Sequence, residues 1–417
     1  MTAPETGGTG STADPTTGPT TDPTAGPTAG SASGRDASAE AAAARWLTRD
    51  DLRAGARSAT GLLLVAPDAS SAFPLGSGDR AEAAGLTGAA LRAAGVGGRD
   101  RVVVALSEPA GALWATAAAD VASAAASVGP RGRMRLIHAL SALGATTLVA
   151  TPTGAMDLLA RLHLEFLLDP LDLGLRHIVL TGEIASKRTL RHLAGEFDAH
   201  VTEVYANPFS GGALAWRAAE NDPLTPLADG VLHLASLTKD VLRHSEPSGV
   251  AELVITPHGH SALGDAVLRT GQVVRTDSPA SDSPASDSPA SGDDTRAGDP
   301  GLPAPAHTVG EHVLVRGVWL SLPRIEKALA KIDGVSRWEL TISRPGTLDT
   351  AVLTVTFGRE SLVRNPMWRG RIQQAIQGLT PISLGVEIAP EIAEAPGPGV
   401  LTDLRGHHLG RDRALIV

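Results

Sequence analysis

The chain has 417 residues, 42% of them hydrophobic, and 36 Lys and Arg against 45 Asp and Glu give a net charge of -9. Single cores seldom grow past about 250 to 300 residues, so more than one folded unit is expected. An acidic balance without a long basic run lacks the footprint of a nucleic-acid binder. No cysteine is present, which excludes disulfides, thiolate nucleophiles and cysteine-bound metals.

Residues 1–38 are Thr, Pro, Gly and Ser with almost nothing to bury, a composition expected to remain a disordered tail. The start has neither a basic n-region nor an apolar h-region, and no later stretch approaches about 18 unbroken apolar residues. A cytoplasmic protein without a membrane span is the expectation. Between 39 and 276, apolar runs alternate with helical patterns: GLLLVA (61–66), a helix through ALRAAGV, RVVVAL (101–106), two Ala-rich helices, ATTLVA (145–150), a helix in MDLLARLHLEFLL, then RHIVLTG (176–182). That order predicts a mostly parallel sheet covered on both faces. From Val201 onward VTEVY, ALAWRA, GVLHLAS, VAELVITP and AVLRTGQVV follow one another without helices, predicting an antiparallel subdomain.

DSPAS repeats three times from Asp277 to Ser291, so 277–306 reads as an acidic, proline-punctuated linker. From 307 to 417 the pattern is a lead-in strand HVLVRG, a helix LPRIEKALAKI, two strands, a helix and a strand, which resembles a small ferredoxin-like α+β domain. The chain is therefore read as a large α/β domain with an antiparallel subdomain, joined to a small α+β domain.

Four local motifs carry little chemistry. GHSAL (259–263) approaches a nucleophile elbow but has Leu263 where the turn needs glycine. His258, His260, His407 and His408 lack a third ligand at metal-binding spacing. Gly95-Val96-Gly97-Gly98 sits between a helix and a strand, the reverse of a dinucleotide fingerprint, and reads as a helix C-cap. SSAFPLGSG (70–78) could cradle a phosphate with backbone amides, though a Pro-Gly loop is the plainer reading.

Taken in order, TLVATPTGAMDLLARL (147–162), LRHIVLTGEIASKRTLRHLAGEFDAHVTEVYANPFSGG (175–212), GVAELVITP with AVLRTGQVV (249–274), and HVLVRGVWLSLPRIEKAL (312–329) resemble the adenylate-forming (AMP-binding) ligases, phenylacetate-CoA ligase-like branch. The resemblance implies ATP- and Mg²⁺-dependent activation of a carboxylic acid to an acyl-adenylate, then transfer to a thiol such as coenzyme A. It matches Gly182-Glu183 to the segment beside adenine, Tyr205 to the adenine-stacking tyrosine and Gly211-Gly212 to the glycines beyond it. Arg269-Thr270-Gly271 match the nucleotide-side strand, and Arg316-Gly317 with Ile325-Glu326 match the start of the small domain. For Tyr205, a core aromatic at a strand end stands as the equal alternative.

The same resemblance exposes losses. The threonine and the Mg²⁺-binding glutamate become Pro208 and Phe209. The phosphate loop keeps Ser70 and Ser71 but loses glycines and its cation. The ribose aspartate becomes Gln272, with one acceptor oxygen where two are wanted. The hinge arginine falls near Thr308, and the catalytic lysine corresponds to Arg411. Two readings follow: a ligase of weak or lost activity, or a catalytically silent paralogue that binds a small carboxylic acid or acyl-CoA, or regulates a partner ligase. A homodimer is a further expectation from the resemblance.

Overall fold

The computed structural model describes residues 44–66, 71–130, 132–207, 210–243, 249–275, 301–346, 348–363, 365–392 and 399–416. The expected tail, the DSPAS repeats, Ser70, Pro208 and Phe209 lie outside the described residues.

A seven-stranded sheet forms the centre of the large lobe. Five of its strands are parallel, in the spatial order His200–Ala206, His177–Thr181, Thr147–Ala150, Arg101–Val104 and Ala124–Ser127. The apolar runs of the three central strands are buried on both faces. Leu148, Ile178 and Leu180 pack with Leu158, Leu193 and Phe197 of helices Pro152–Arg161 and Lys187–Phe197. The intervening Val149 and Val179 meet Leu91 and Trp114 of helices Ser77–Ala93 and Ala110–Ala119. Opposite directions of alternate side chains produce this division.

Three expectations need correction. VTEVY is not the start of the antiparallel part: it is the fifth parallel strand, and the direction reverses only at Ala213–Arg217 and Thr225–Pro226. GLLLVA does not enter the main sheet, because Leu62–Val65 pairs antiparallel with Ala72–Leu75 in a sheet of its own. The two Ala-rich helices are interrupted by the edge strand Ala124–Ser127. Alanine favours helix intrinsically, and only pairing with Arg101–Val104 draws that tetrapeptide into a strand.

The remaining strands of this lobe form a second sheet in the order Trp46–Leu47, Val267–Arg275, Val250–Ile255, Leu232–Ala235 and Leu242–Arg243, with His307–Thr308 paired to Val267–Arg275. It is antiparallel as expected, except that Trp46–Leu47 runs parallel to its neighbour. Its inner face, including Leu253, Ile255 and Leu268, shares a buried cluster with Phe73, Leu75 and Tyr205.

A separate core lies between residues 313 and 386. Strands Val335–Ser343 and Thr350–Phe357 form an antiparallel pair flanked by the parallel strands Gly399–Asp403 and Gly385–Ile388. Trp338, Leu340 and Ile342 alternate along the first strand and share this core with Ile325 and Leu329 of helix Leu322–Leu329 and Ile372 and Ile376 of Met367–Gln377. The hairpin His312–Val315 to Val318–Ser321 adds to the same core and turns at Arg316 and Gly317, both at positive φ. Such a two-residue turn matches the twist of its strands.

Candidate functional site

The carboxyl ends of the parallel strands bring Thr151, Thr181 to Glu183 and Tyr205 to Asn207 to one edge of the main sheet. Thr151 follows its strand directly and caps the next helix by accepting from Gly154 N at 3.0 Å, with Pro152 at the first helical position. Gly182 takes φ +84° after Thr181. The next residue, Glu183, accepts from Thr153 Oγ1 at 2.5 Å and Thr153 N at 3.2 Å. Burial raises its carboxyl above the ordinary range; the Thr153 bonds oppose this rise, and repulsion from Asp349 adds to it.

The hairpin turn of the other lobe closes on this corner. A Cβ on Gly317 would lie 3.2 Å from Glu183 Oε1 and 3.5 Å from Thr151 Cγ2, so glycine is required both for the φ of +72° and for the approach. Arg316 donates through Nε to Asp349 O at 2.5 Å. Asp349 itself is buried and accepts from Arg344 and Arg405 at 2.6 and 2.5 Å.

Tyr205, the chain's only tyrosine, is buried with its ring in the core of the large lobe. Its hydroxyl donates to Gln272 Oε1 at 2.7 Å, and Asn207 Nδ2 approaches the same oxygen at 3.4 Å. Burial pushes the phenol up to about 12. The groove shared by Gly182, Glu183, Tyr205, Gln272, Ala304 and Pro305 keeps only about 30 Å³. That is room for roughly two waters, whereas small-molecule sites run to about 300–1,000 Å³. In this arrangement the groove is too small for an adenosine nucleotide.

The other candidates serve packing or pairing. Ser71 is buried just before Ala72–Leu75, so the centre of SSAFPLGSG is a strand and not a phosphate-cradling loop. Gly211, at φ +71°, has Leu75 Cδ1 2.8 Å from its notional Cβ; for Gly212, Ala83 O is 2.5 Å away. The pair lets the strand touch helix Ser77–Ala93. Arg269 is fully engaged with Asp240, Glu252 and the carbonyls of Ser236 and Lys239. Arg411 pairs with Glu311 at 2.7 Å and Glu326 at 3.1 Å. It lines a separate cavity of about 370 Å³ with Arg49, Arg413 and Trp319, away from the Tyr205 groove. Thr308 is buried, its hydroxyl 3.0 Å from His408 Nδ1.

GHSAL holds no nucleophile–base pair. Ser261 Oγ donates to Asp79 and not to an imidazole, and no group of three or more His, Asp or Glu among the described residues is placed to hold a metal ion.

One pocket escaped the sequence. About 130 Å³ lies open beside the groove, lined by Leu64, Leu106, Trp114, Gly182, Gly211 and the hairpin's Gly317. Its polar end carries Thr151, Asn207 and Thr181, whose buried hydroxyl has no hydrogen-bond partner among the described residues. Glu108 stands at the rim, accepting from Ser127 Oγ at 2.6 Å. The apolar lining comes from five separate segments, which no local motif could have signalled.

This architecture is the fold of the adenylate-forming ligases. The chain is similar to 2-hydroxyisobutyryl-CoA ligase in complex with 2-HIB-AMP and CoA in the thioesterification state, at 17% identity and a TM-score of 0.68 over 86% of this chain and 80% of that one. An open conformation of the same ligase scores 0.51. The amide bond synthetase McbA from Marinactinospora thermotolerans scores 0.57 at 15% identity, over 81% of this chain and 66% of that one. The o-succinylbenzoate-CoA synthetase MenE from Bacillus subtilis scores 0.56 at 11% identity, over 79% and 64%. No protein-family profile and no curated protein matches the chain in sequence. No helix among the described residues is long and apolar enough to cross a membrane.

Proposed function

We propose that this chain is a ligand-binding relative of the phenylacetate-CoA ligase-like enzymes that holds a small carboxylic acid, or the acyl part of its coenzyme A thioester, while adenylation is weak or lost. The observation that carries this reading is the contrast between two neighbouring cavities. The apolar pocket remains open at about 130 Å³ with an unsatisfied Thr181 hydroxyl at its polar end, while the groove at Tyr205 is closed to about 30 Å³. The Glu108 carboxylate in the lining repels a free carboxylate, so the uncharged acyl thioester is the less disfavoured of the two ligands.

Sequence supports the loss of adenylation. Phe209 offers no oxygen to Mg²⁺, Pro208 no hydroxyl to phosphate, and Gln272 one acceptor in place of two. Removing one preorganised electrostatic group commonly costs about 10² to 10³ in rate, so the joint loss leaves little ATP-dependent turnover. A residual ligase is the second reading, favoured by the better match to a thioesterification state than to an open conformation. If ATP and Mg²⁺ bind at all, Glu183, Tyr205 and Gln272 would flank the nucleotide. We further propose a division into a large unit at 39–276, a linker at 277–306 and a small unit at 307–417, with a second copy or a partner ligase as the binding partner in the cytoplasm.

The test is thermal shift and titration calorimetry with short-chain and aromatic acids and their CoA thioesters, without nucleotide. Binding that is abolished by Gly182→Val, which narrows the pocket, supports the reading. Ligands that bind only with ATP and Mg²⁺ favour the ligase.

A further inference from the structure

Strand Val267–Arg275 pairs with His307–Thr308 over only two residues, Gln272 with Thr308 and Val273 with His307. Just upstream, Ala306 N still donates to Val273 O at 3.0 Å, but Leu302 leaves that ladder. It exchanges both backbone hydrogen bonds with Leu224, at 2.7 and 2.9 Å. Pro303, Ala304 and Pro305 span the distance between these anchors. Leu302 and Ala304 pack on the same buried cluster as Tyr205 and Leu224, and Ala304 with Pro305 walls the narrow groove opposite Gly182 and Gln272.

The composition suits a segment laid across a groove. Proline has no backbone N–H, so residues 303 and 305 bring no donor that must be satisfied there. Gly301 allows a close approach, since a Cβ at that position would lie 2.9 Å from Leu224 O. The attachment is modest: three backbone bonds and six half-buried residues, none fully buried, beside a strand, Val267–Arg275, buried along all but its last residue.

We propose that residues 301–306 form a strap over the groove at Tyr205 and Gln272, and that an adenosine nucleotide enters only when the strap lifts. This deepens the functional reading above and rests on its assignment of that groove to the nucleotide. Closure by the chain itself explains a pocket open to an acyl group beside a nucleotide groove with room for little more than water. Lifting the strap breaks one bond to the sheet, Ala306 N to Val273 O, and leaves the pairing of Val267–Arg275 with Val250–Ile255 in place.

The absence of cysteine allows a clean test. Leu224 and Leu302 exchange both bonds, which sets their Cα atoms about 5.5 Å apart, within the span of a disulfide. The full chain carrying Leu224→Cys and Leu302→Cys locks the strap when oxidised and frees it when reduced; Leu302→Asp frees it permanently. AMP affinity is read by calorimetry, and a ring-fluorinated tyrosine at the sole tyrosine position gives one fluorine resonance that reports the groove. The expected result is AMP binding at least about 10-fold weaker in the oxidised than the reduced form, and at least about 10-fold tighter for Leu302→Asp than for the parent, as the competent fraction grows. The resonance should move in Leu302→Asp and stay fixed on oxidation. Equal AMP affinity in the oxidised and reduced forms overturns the strap, as does an absence of AMP binding in every form. An acid or thioester that binds all forms equally leaves the acyl-pocket reading standing if the strap fails. Conversely, acid-dependent turnover in the reduced form refutes the silent reading and leaves the strap in place.

Discussion

Replacing Tyr205 by Phe asks whether this ring belongs to the core or waits for a ligand. The substitution keeps the aromatic ring among Leu214, Leu253 and Leu268 and deletes only the hydroxyl that donates to Gln272 Oε1 at 2.7 Å. Gln272 is buried, and its oxygen would retain only Asn207 Nδ2 at 3.4 Å. Loss of one buried bond with its acceptor left poorly satisfied costs about 1–2 kcal/mol. Gln272→Leu removes the phenol's closest acceptor but leaves Asn207 and Thr270 beside the hydroxyl, and should cost about 1–2 kcal/mol. The double variant removes both partners, so its cost should fall short of the sum by about 1 kcal/mol, the signature of direct coupling. Urea unfolding followed by fluorescence of the six tryptophans supplies all three values. A Tyr205→Phe variant within about 0.5 kcal/mol of the parent, together with additivity, would refute the reasoning and restore Tyr205 as a free stacking surface.

Two further outcomes follow from geometry and charge. Gly212→Ala places a methyl 2.5 Å from Ala83 O and 2.7 Å from Thr87 Oγ1; overpacking of this kind costs about 1–3 kcal/mol, measurable as a lowered urea midpoint, and a neutral result would mean the strand and helix separate freely. His312 is held down to about 3 by burial and by Arg49, Arg53 and Arg324. Its neutral form is the native one, so stability is retained above the imidazole's ordinary value and lost as pH falls from there toward 3; His312→Gln should flatten that acid limb in thermal melts, and an unchanged limb would contradict the assignment.

How much of this could be read along the chain depends on whether the signal was local. RVVV, TLVA and HIVLT carry their burial in their own composition and fold as the parallel strands expected of them. The tetrapeptide AAAS carries no strand signal, and the place of Val201 in the parallel ladder depends on pairing across more than twenty residues. At the site, Gly182, Glu183, Tyr205 and Gln272 were legible through the resemblance and do converge on one groove. Arg269 and Arg411 matched by position but are consumed by Glu252, Asp240, Glu311 and Glu326. Their partners come from distant segments, so no spacing rule could reveal them. The bridge from Leu302 to Leu224 was equally hidden, because it joins residues on either side of the DSPAS repeats.

The chain keeps the ligase fold, and on the reading proposed above it keeps an acyl pocket without running adenylation. ATP–pyrophosphate exchange over a panel of carboxylic acids, with ATP calorimetry in the presence and absence of Mg²⁺, tests it most directly. No acid-dependent exchange and no Mg²⁺-dependent heat of ATP binding are expected. Exchange that requires one particular acid, accompanied by Mg²⁺-dependent ATP binding, would contradict it.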